Sequence, residues 1–289
     1  MNRRRIMKKL FWIWAMISVV LLVFAGSSMA GKTALEEIMG AKTIVVSTDA
    51  NYAPQSFLND KGELEGFDVS VAKEVAKRMG VNVKFITPDW DLITAGRWGK
   101  RWDISIGSMT PTKERKNALL FTLPYYSSPA QFAIHKDNTT IKTLADLAGK
   151  TIGVAGETTN ERYLQKDLSI EDVKIVYQNW KPGKLKTYPT DANHIEDLSL
   201  GDGLRLDAIF TSRQTLAEAI RNGCGNGCPL KMLGEPPYYE PLSFALDKSR
   251  ANSQTLVDKL NEVIKSMNDD GTLVQLSEKF YHTNLIPKL

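Results

Sequence analysis

Residues 103–115 read Asp103-Ile104-Ser105-Ile106-Gly107-Ser108-Met109-Thr110-Pro111-Thr112-Lys113-Glu114-Arg115. An apolar strand runs into small hydroxyl residues, a helical turn begins at the proline, and Arg115 follows Thr110 by five positions. Hydroxyl groups beside backbone N–H groups suit a carboxylate, and an arginine fork grips both of its oxygens. A loop with a surface arginine is the alternative, but the order of strand, hydroxyl loop and helix start favours an anion site.

Residues 1–30 have the pattern of a cleaved signal peptide. A basic N-terminal segment with five Lys and Arg residues precedes an apolar run from Leu10 to about Ala25, and small residues allow cleavage after Ala30. The apolar run is long for the hydrophobic region of a signal peptide, so a retained membrane anchor is the alternative. The same run is short for a membrane-spanning helix. We expect the protein to be exported to the periplasm.

The charge of the chain depends on this leader. The full chain carries a formal net charge of +4, and residues 1–30 hold five basic and no acidic residues, so the rest carries −1. The remaining chain therefore gives no reason to expect a nucleic-acid or membrane-surface partner. Its 259 residues suffice for one large domain or for two lobes with separate cores.

The two cysteines of the chain, Cys224 and Cys228, lie four positions apart in a Gly-rich segment. In an oxidising compartment this spacing predicts a small disulfide loop. A metal site would need further soft ligands, and the three histidines of the chain do not supply a matching set. We expect no metal and no cofactor.

Strand and helix patterns alternate through the chain, which is typical of parallel sheets flanked by helices. One helix has an apolar face from Phe67 to Met79 and ends at Gly80. The other predicted strands and helices are strands at Thr43–Thr48, Val81–Ile86, Trp102–Ile106, Thr151–Val154, Val173–Tyr177 and Asp207–Phe210, and helices at Asp91–Trp98, Ile141–Leu147, Asn160–Asp167, His194–Leu200, Ser212–Arg221, Leu256–Met267 and Thr272–Tyr281. Residues 179–192 are predicted to form a surface loop.

Two blocks of this pattern are joined by extended segments at Gln131–His135 and Leu242–Leu246, which predicts two lobes and a cleft. Ligands of open α/β sheets lie beyond the carboxyl ends of the strands. The hydroxyl loops after Ile106 and Val154 are both at strand ends, so we expect both to face the cleft. This arrangement is that of a hinge-closing binding protein.

The chain resembles the family 3 periplasmic solute-binding proteins, which bind polar amino acids for ABC importers. The resemblance runs from about Thr43 to Tyr281, and the order and spacing of its segments make it specific. They are Ser47–Pro54, Gly62–Asp68, Ser108–Arg115, Phe121–Tyr126, Thr158-Thr159 and Asp269–Thr272. The resemblance implies the two-lobed type II periplasmic-binding-protein fold, with a signal peptide at 1–30, lobe 1 at 31–130 and 238–289, and lobe 2 at 131–237.

The resemblance also implies roles for single residues. Tyr52 and Trp90 match the aromatic rings that enclose the ligand side chain, although Trp90 also suits the core of the first lobe. Arg115 matches the carboxylate-binding arginine. Further ligand-binding positions are matched by Asp49, Ser108, Thr110, Thr158, Thr159 and Ser212. As alternatives, Asp49 caps the turn before Tyr52, and Thr158 or Thr159 caps a helix.

One position departs from the family pattern. Members usually carry an acidic residue after the buried strand of the second lobe, where it pairs with the α-ammonium of the ligand, and here that position is Ser212. A buried ammonium without a carboxylate partner is costly. Either another acid reaches the site, such as Glu157, Asp49 or Glu240, or the ligand lacks a free α-amine.

We therefore expect a receptor without catalytic activity, which captures an amino acid or related small carboxylate and delivers it to an ABC permease. We expect this receptor to be a monomer. The alternative is an exported enzyme similar to cyclohexadienyl dehydratases, which Thr159-Asn160-Glu161 and Trp90 resemble. Such an enzyme needs a general acid near the leaving group, and the segment around Ser212 offers none. A sensory domain that uses the same closure is a third reading.

Overall fold

A computed structural model of the chain describes residues 31–222 and 228–289. Its strands are β1 (Thr43–Ser47), β2 (Asn51–Tyr52), β3 (Ser56–Leu58), β4 (Leu64–Glu65), β5 (Asn82–Ile86), β6 (Ile104–Met109), β7 (Leu119–His135), β8 (Thr151–Ala155), β9 (Lys184–Tyr188), β10 (Ala208–Ser212), β11 (Leu230–Leu233) and β12 (Tyr239–Asp247). Its helices are α1 (Ala34–Ala41), α2 (Phe67–Met79), α3 (Trp90–Thr94), α4 (Thr159–Gln165), α5 (Asp191–Ser199), α6 (Arg213–Asn222), α7 (Gln254–Asp269) and α8 (Thr272–Tyr281). Short 3₁₀ turns cover Arg115–Asn117 and Leu144–Leu147.

The main sheet has the strand order β5-β1-β6-β12-β7-β10-β8-β9, and β11 pairs with β7. At one end β1 runs parallel to β5 and β6, and at the other end β8 runs parallel to β9 and β10. The antiparallel strands β7 and β12 lie between these two parallel groups. The predicted α/β class is therefore confirmed, but the parallel pairing is limited to two groups of three strands in a mixed sheet.

Strand β7 is long enough to take part in both halves of the sheet. Its residues 119–129 pair with β12, and its residues 130–134 pair with β10. We call the chain before β7 and after β12, together with β12 and residues 119–129 of β7, the first lobe. The second lobe is the chain between β7 and β12 together with residues 130–135 of β7. This is the predicted two-lobed architecture. The residue boundaries predicted for the lobes stay a prediction.

Each lobe has its own hydrophobic core. In the first lobe Phe67, Tyr125, Tyr126 and Phe244 are fully buried and pack with the apolar faces of α2, α7 and α8. In the second lobe the rings of Phe132 and Phe210 stack with centroids 3.9 Å apart. Two cores joined by two strands leave the groove between the lobes free to hold a site.

Helix α2 and the loop before β3 are fixed to each other at Gly66. The glycine has a φ of 126°, and a Cβ atom there would lie 2.3 Å from the backbone oxygen of Gln55. This approach lets the N–H groups of Phe67 and Asp68 donate to the carbonyl groups of Pro54 and Gln55. Glycine is required because any side chain would separate these two backbones. The contact sets the position of Gln55 beside the second lobe.

Several predicted elements, such as the helix Phe67–Met79, agree closely with the structure. The prediction for residues 173–192 is wrong. Residues 173–177 form no strand, and the strand of this region is β9 inside the predicted surface loop. Strand β9 pairs in parallel with β8 at five positions and lies at the sheet edge, where its lysines are tolerated. The helix predicted over Asp91–Trp98 is likewise shorter and shifted, as α3.

Two predictions fall on residues that the structure does not describe. The predicted signal peptide occupies residues 1–30, and Cys224 of the predicted disulfide also lies outside the described residues. Over residues 31–222 and 228–289, none of the helices has the length and apolarity needed to cross a membrane.

Candidate functional site

A cavity of about 70 Å³ lies between the two lobes. Its lining residues lie at or just beyond the carboxyl ends of β1, β6, β8 and β9, as expected for an open α/β sheet. Its lining consists of Asp49, Asn51, Tyr52, Trp90, Gly107, Ser108, Thr110 and Arg115 from the first lobe, Ala155, Gly156, Thr158, Thr159, Asn160, Pro189, Thr190 and Asp191 from the second, and Glu240 from β12. Of the residues predicted to bind the ligand, all but Ser212 line this cavity.

Ser108 lies at the end of β6 with a φ of 54°, a strained value for a residue other than glycine. The surrounding hydrogen bonds hold it there. Its N–H donates to Tyr125 Oη at 3.1 Å, its hydroxyl donates to Asp68 Oδ2 at 2.7 Å, and Tyr126 Oη donates to Ser108 Oγ at 2.7 Å. Burial raises the pKa of Asp68 to about 7, against the lowering effect of the hydrogen bonds that the Tyr125 and Ser108 hydroxyls donate to its carboxyl group. A polar network in the first core therefore fixes the hydroxyl loop.

Arg115 is 9 % exposed and lies in the 3₁₀ turn that follows the loop. Its Nη1 donates to the carbonyl of Thr110 at 3.1 Å, and its Nη2 donates to the carbonyl of Glu157 in the second lobe at 2.7 Å. Burial lowers the pKa of Arg115 to about 10, so the guanidinium stays charged at neutral pH. The alternative of a surface arginine is wrong.

Trp90 begins α3 and joins the two lobes beside Arg115. The indole Nε1 donates to the Glu157 carbonyl at 3.2 Å, and the Arg115 guanidinium lies 5.2 Å from the centroid of the Trp90 ring. This distance is within the range of a cation–π contact. Glu157 has a φ of 55°, which turns its carbonyl toward both donors, whereas its side chain does not line the cavity.

Asp49, in the turn after β1, and Tyr52, in β2, border the cavity. The Oδ1 atom of Asp49 accepts a hydrogen bond from the Asn51 N–H at 2.7 Å, so the predicted turn-capping role is present. Burial raises the pKa of Asp49, and nearby Asp191 raises it further. Burial also raises the pKa of the Tyr52 phenol, which stays protonated. Asp49 thus combines a structural contact with a place on the cavity wall.

Thr158 and Thr159 stand at the start of α4 and differ in their contacts. Thr158 is the N-cap: its hydroxyl accepts from the Glu161 N–H at 3.2 Å and donates to the Ala155 carbonyl at 2.7 Å. Thr159 instead directs its hydroxyl to Oε2 of Glu240 at 2.7 Å. The capping alternative therefore holds for Thr158, and Thr159 contacts an acid of the cavity.

Glu240 is the acid nearest the hydroxyl loop. It lies on β12, is 6 % exposed, and its Oε2 also accepts from Thr110 Oγ1 at 2.5 Å. Burial raises the pKa of Glu240, while the two hydroxyl donors and Arg115 lower it. Thr110 belongs to the first lobe and Thr159 to the second, so one carboxylate oxygen contacts both lobes.

Asp191, the first residue of α5, is an acid of the site that the sequence patterns do not reveal. Its Oδ1 lies 2.7 Å from Nε2 of the fully buried His194. The residue follows β9 and so belongs to the same edge of the sheet as the turn after β8. Recognising β9 as a strand would have pointed to Asp191, because ligand groups follow strand ends.

Ser212 ends β10, is 2 % exposed, and does not line the cavity. Its hydroxyl lies 3.2 Å from Nε2 of Gln55 in the first lobe and 2.8 Å from Oγ1 of Thr215. The Gln55 Nε2 also donates to Thr215 Oγ1 at 3.2 Å. These groups form a second polar contact between the lobes. The ligand-binding role predicted for Ser212 stays a prediction.

The charges of the cavity wall are unequal. Three carboxyl groups line it, those of Asp49, Asp191 and Glu240, against the single guanidinium of Arg115. In the described part of the chain, no cluster of three or more His, Cys, Asp or Glu has the arrangement of a metal site. Three carboxyl groups against one guanidinium suit a ligand that brings one negative and at least one positive charge.

Comparison with known proteins gives a consistent result. The family model described as bacterial extracellular solute-binding proteins, family 3, matches residues 44–283. The L-cystine-binding protein TcyJ of Escherichia coli (strain K12) is 32% identical over 255 residues, which are 88% of this chain and 88% of that protein.

Two solved structures are also similar. One is the ancestral amino acid-binding protein AncCDT-1, a precursor of cyclohexadienyl dehydratase, with a TM-score of 0.73, 30% identity, and coverage of 86% of this chain and 100% of that one. The other is an ancestral arginine-binding protein bound to arginine, with a TM-score of 0.70, 30% identity, and coverage of 83% of this chain and 98% of that one.

Proposed function

Because this chain belongs to the bacterial extracellular solute-binding proteins of family 3, we propose that it is the receptor of an ABC importer and captures an amino acid by closing its two lobes. The observation that carries this proposal is the cavity between the lobes, where Arg115, Trp90 and Glu240 contact residues of both. A ligand that contacts both walls favours the closed state by its differential affinity for that state.

Arg115 binds the carboxylate of the ligand in this proposal. The guanidinium is buried, remains charged, and makes hydrogen bonds only to two backbone carbonyls in the described structure, so further N–H groups remain for a carboxylate. A charged carboxylate is a stronger acceptor than a neutral carbonyl. Tyr52 and Trp90 supply aromatic surface for the rest of the ligand.

The charge of the wall favours an amino acid with a cationic side chain. Asp49 comes from the first lobe and Asp191 from the second, both line the cavity, and Asp191 raises the pKa of Asp49. A guanidinium, ammonium or imidazolium group between them would relieve this repulsion. The similarity to an arginine-binding protein supports the same class of ligand.

The cellular setting follows from the same proposal. The protein acts in the periplasm after removal of residues 1–30, and the closed lobes present a surface to the permease of the importer. It acts as a monomer, because each lobe completes its own core within one chain.

We also propose that the protein binds its ligand without altering it. The alternative enzyme would use Glu161 as its acid, but Glu161 Oε2 accepts from the Glu157 N–H at 2.8 Å, and Oε1 accepts from Thr187 Oγ1 at 3.3 Å. Glu161 is absent from the residues that line the cavity. A general acid must reach the reacting group, and both oxygens of this carboxylate accept hydrogen bonds outside the cavity lining.

Titration calorimetry of the purified protein with arginine, lysine, histidine, cystine, glutamine and glutamate tests the ligand class. We expect binding of at least one cationic amino acid and much weaker binding of glutamate. Asp191→Asn should reduce the preference for the cationic ligand, and Glu196→Gln, on an outward position of the same helix, should leave it unchanged. Failure of every amino acid to bind, or preference for glutamate, would contradict the proposal.

A turnover assay separates binding from catalysis. The protein is incubated with prephenate or arogenate, and product formation is followed. We expect none above the background. Turnover that disappears in Glu161→Gln would establish the enzyme instead.

A further inference from the structure

Glu240 is the acid of the cavity whose carboxylate is hydrogen-bonded by residues of both lobes. In the described part of the chain no Lys, Arg or His nitrogen lies within 4.0 Å of its carboxylate, so the residue forms no ion pair there. Its two hydrogen bonds come from neutral hydroxyl groups, those of Thr110 and Thr159. A buried carboxylate without a cation is costly, and a cationic ligand group would offset this cost.

The position of Glu240 relative to Arg115 indicates which cation fits. Both side chains contact Thr110: Arg115 Nη1 donates to its carbonyl, and its hydroxyl donates to Glu240. A guanidinium and a carboxylate thus lie on either side of one residue, without a direct ion pair. An α-amino acid carries its carboxylate and its ammonium on a single carbon and therefore presents opposite charges at a comparably short separation.

The other two acids of the cavity, Asp49 and Asp191, have different partners. The carboxylate of Asp49 accepts from the Asn51 N–H, and the carboxylate of Asp191 contacts His194. Among charged neighbours, Glu240 has the largest effect on the pKa of Arg115, ahead of Glu114 and Glu157. Asp49 and Asp191 are therefore better placed for the distal end of a ligand whose carboxylate is at Arg115.

The end of β10 does not offer an amine site. Ser212 carries no charge, and its hydroxyl is engaged by Gln55 and Thr215. Both of these partners are buried as well. An ammonium placed there would have to displace the Gln55 amide and would gain no carboxylate in return.

We propose that Glu240 binds the α-ammonium group of the ligand, beside the carboxylate that Arg115 binds. This inference rests on the proposed amino-acid receptor and adds the residue that recognises the amine. Because the same Glu240 oxygen contacts Thr110 and Thr159, the amine is recognised at the point where the lobes meet.

The test compares two ligands in two proteins. The ligands are the amino acid that binds most tightly in calorimetry and the same molecule without its α-amino group; for L-arginine this is 5-guanidinopentanoate. The wild-type protein should prefer the amino acid by about 30-fold or more, the effect of truncating a buried charge pair. Glu240→Gln should lose most of this preference, while its affinity for the des-amino ligand is retained or improved.

Matched variants separate this role from a general loss of binding. Asp49→Asn and Asp191→Asn should lower the affinity for both ligands to a similar degree and keep the preference for the amino acid over the des-amino ligand. Glu240→Gln retains an oxygen that accepts from both threonine hydroxyls, and its thermal unfolding shows whether it folds. A crystal structure of the wild-type complex provides a measurement that needs no variant: the ligand nitrogen should lie within hydrogen-bond distance of Glu240.

The outcomes distinguish the two proposals. If the wild-type protein binds no amino acid, the receptor proposal fails. If it binds one and Glu240→Gln keeps the full preference for the amine, or if the crystal structure places the ammonium away from Glu240, only the assignment of Glu240 fails.

Discussion

Arg115 donates a hydrogen bond of 2.7 Å from its guanidinium to the backbone carbonyl of Glu157, across the junction of the two lobes. Trp90 donates to the same carbonyl, and the left-handed backbone of Glu157 turns that oxygen toward both donors. The group proposed to bind the ligand carboxylate therefore also holds the lobes together. Ligand binding and lobe closure are linked through one side chain, so a change at Arg115 acts on both.

Arg115→Lys should weaken the binding of an amino acid by at least about 30-fold, because lysine keeps the charge but loses the bidentate fork and one of the contacts to the lobes. Calorimetry measures the affinity, and circular dichroism checks the fold. Arg221→Lys, on the partly exposed face of α6, is the matched control and should leave the affinity unchanged. Equal affinities for the Arg115 variant and the wild type would contradict the assigned role.

Gln55→Leu removes the hydrogen bonds from Gln55 to Ser212 and Thr215, whereas these two residues keep their mutual contact. The closed state should lose about 1 kcal/mol, so ligand affinity should fall by roughly fivefold. Calorimetry of the single variants Gln55→Leu and Ser212→Ala, and of the double variant, forms a double-mutant cycle. We expect less than additive losses, and strict additivity would show that Gln55 and Ser212 are not energetically coupled.

Asp68 should make the protein less stable as the pH rises from about 4 to 7. Burial raises the pKa of its carboxyl from an ordinary 3.8 to about 7, so the folded state holds a proton that the unfolded state has released over this interval. The free energy of unfolding then falls with a slope of up to about 1.4 kcal/mol per pH unit, and the contribution ends above pH 7.

Urea unfolding at a series of pH values measures this slope. Asp68→Asn should remove this component between about pH 4 and 7. Asp270→Asn should not, because its pKa is lowered to about 2 by hydrogen bonds from Thr272, and its contribution is lost only as the pH falls below about 4. A slope that persists in the Asp68 variant would assign it to other groups.

Gly66→Ala should destabilise the protein by about 3 kcal/mol or more, because the new Cβ would lie 2.3 Å from the Gln55 backbone oxygen. Gly80→Ala is the control: Gly80 also has a positive φ, but no atom lies within 4 Å of the position that a Cβ atom would take there. We expect a loss of about 1 kcal/mol at Gly80 from backbone strain alone. Chemical denaturation compares the two, and similar losses would refute the role of the close approach.

The first lobe is largely predictable because its signals are local. The apolar spacing from Phe67 to Met79 and the stop at Gly80 define a helix from the chain alone. The hydroxyl loop and Arg115 lie within a few residues of one strand end, so their convergence needs no distant information. The short sheet of β2, β3 and β4 escapes prediction, since strands of two or three residues give too little alternation to recognise.

The second lobe is less predictable because β9 lacks a clear signal. Its sequence from Lys184 to Tyr188 alternates charged and other residues, a composition that edge strands tolerate and that is also typical of a surface loop. Asp191 follows this strand and escapes prediction for that reason. An edge strand is defined by its neighbour β8 rather than by its own composition.

The sequence by itself determined the alternation of strands and helices and the hydroxyl loop with Arg115, and its resemblance to the family implied the replacement of an acid by Ser212. Only the tertiary structure placed Glu240 against Thr110, 130 positions away, and against Thr159, 81 positions away. It also paired Ser212 with Gln55, 157 positions away. Such contacts depend on strand register and on how the two lobes meet, and no local pattern of side chains specifies either.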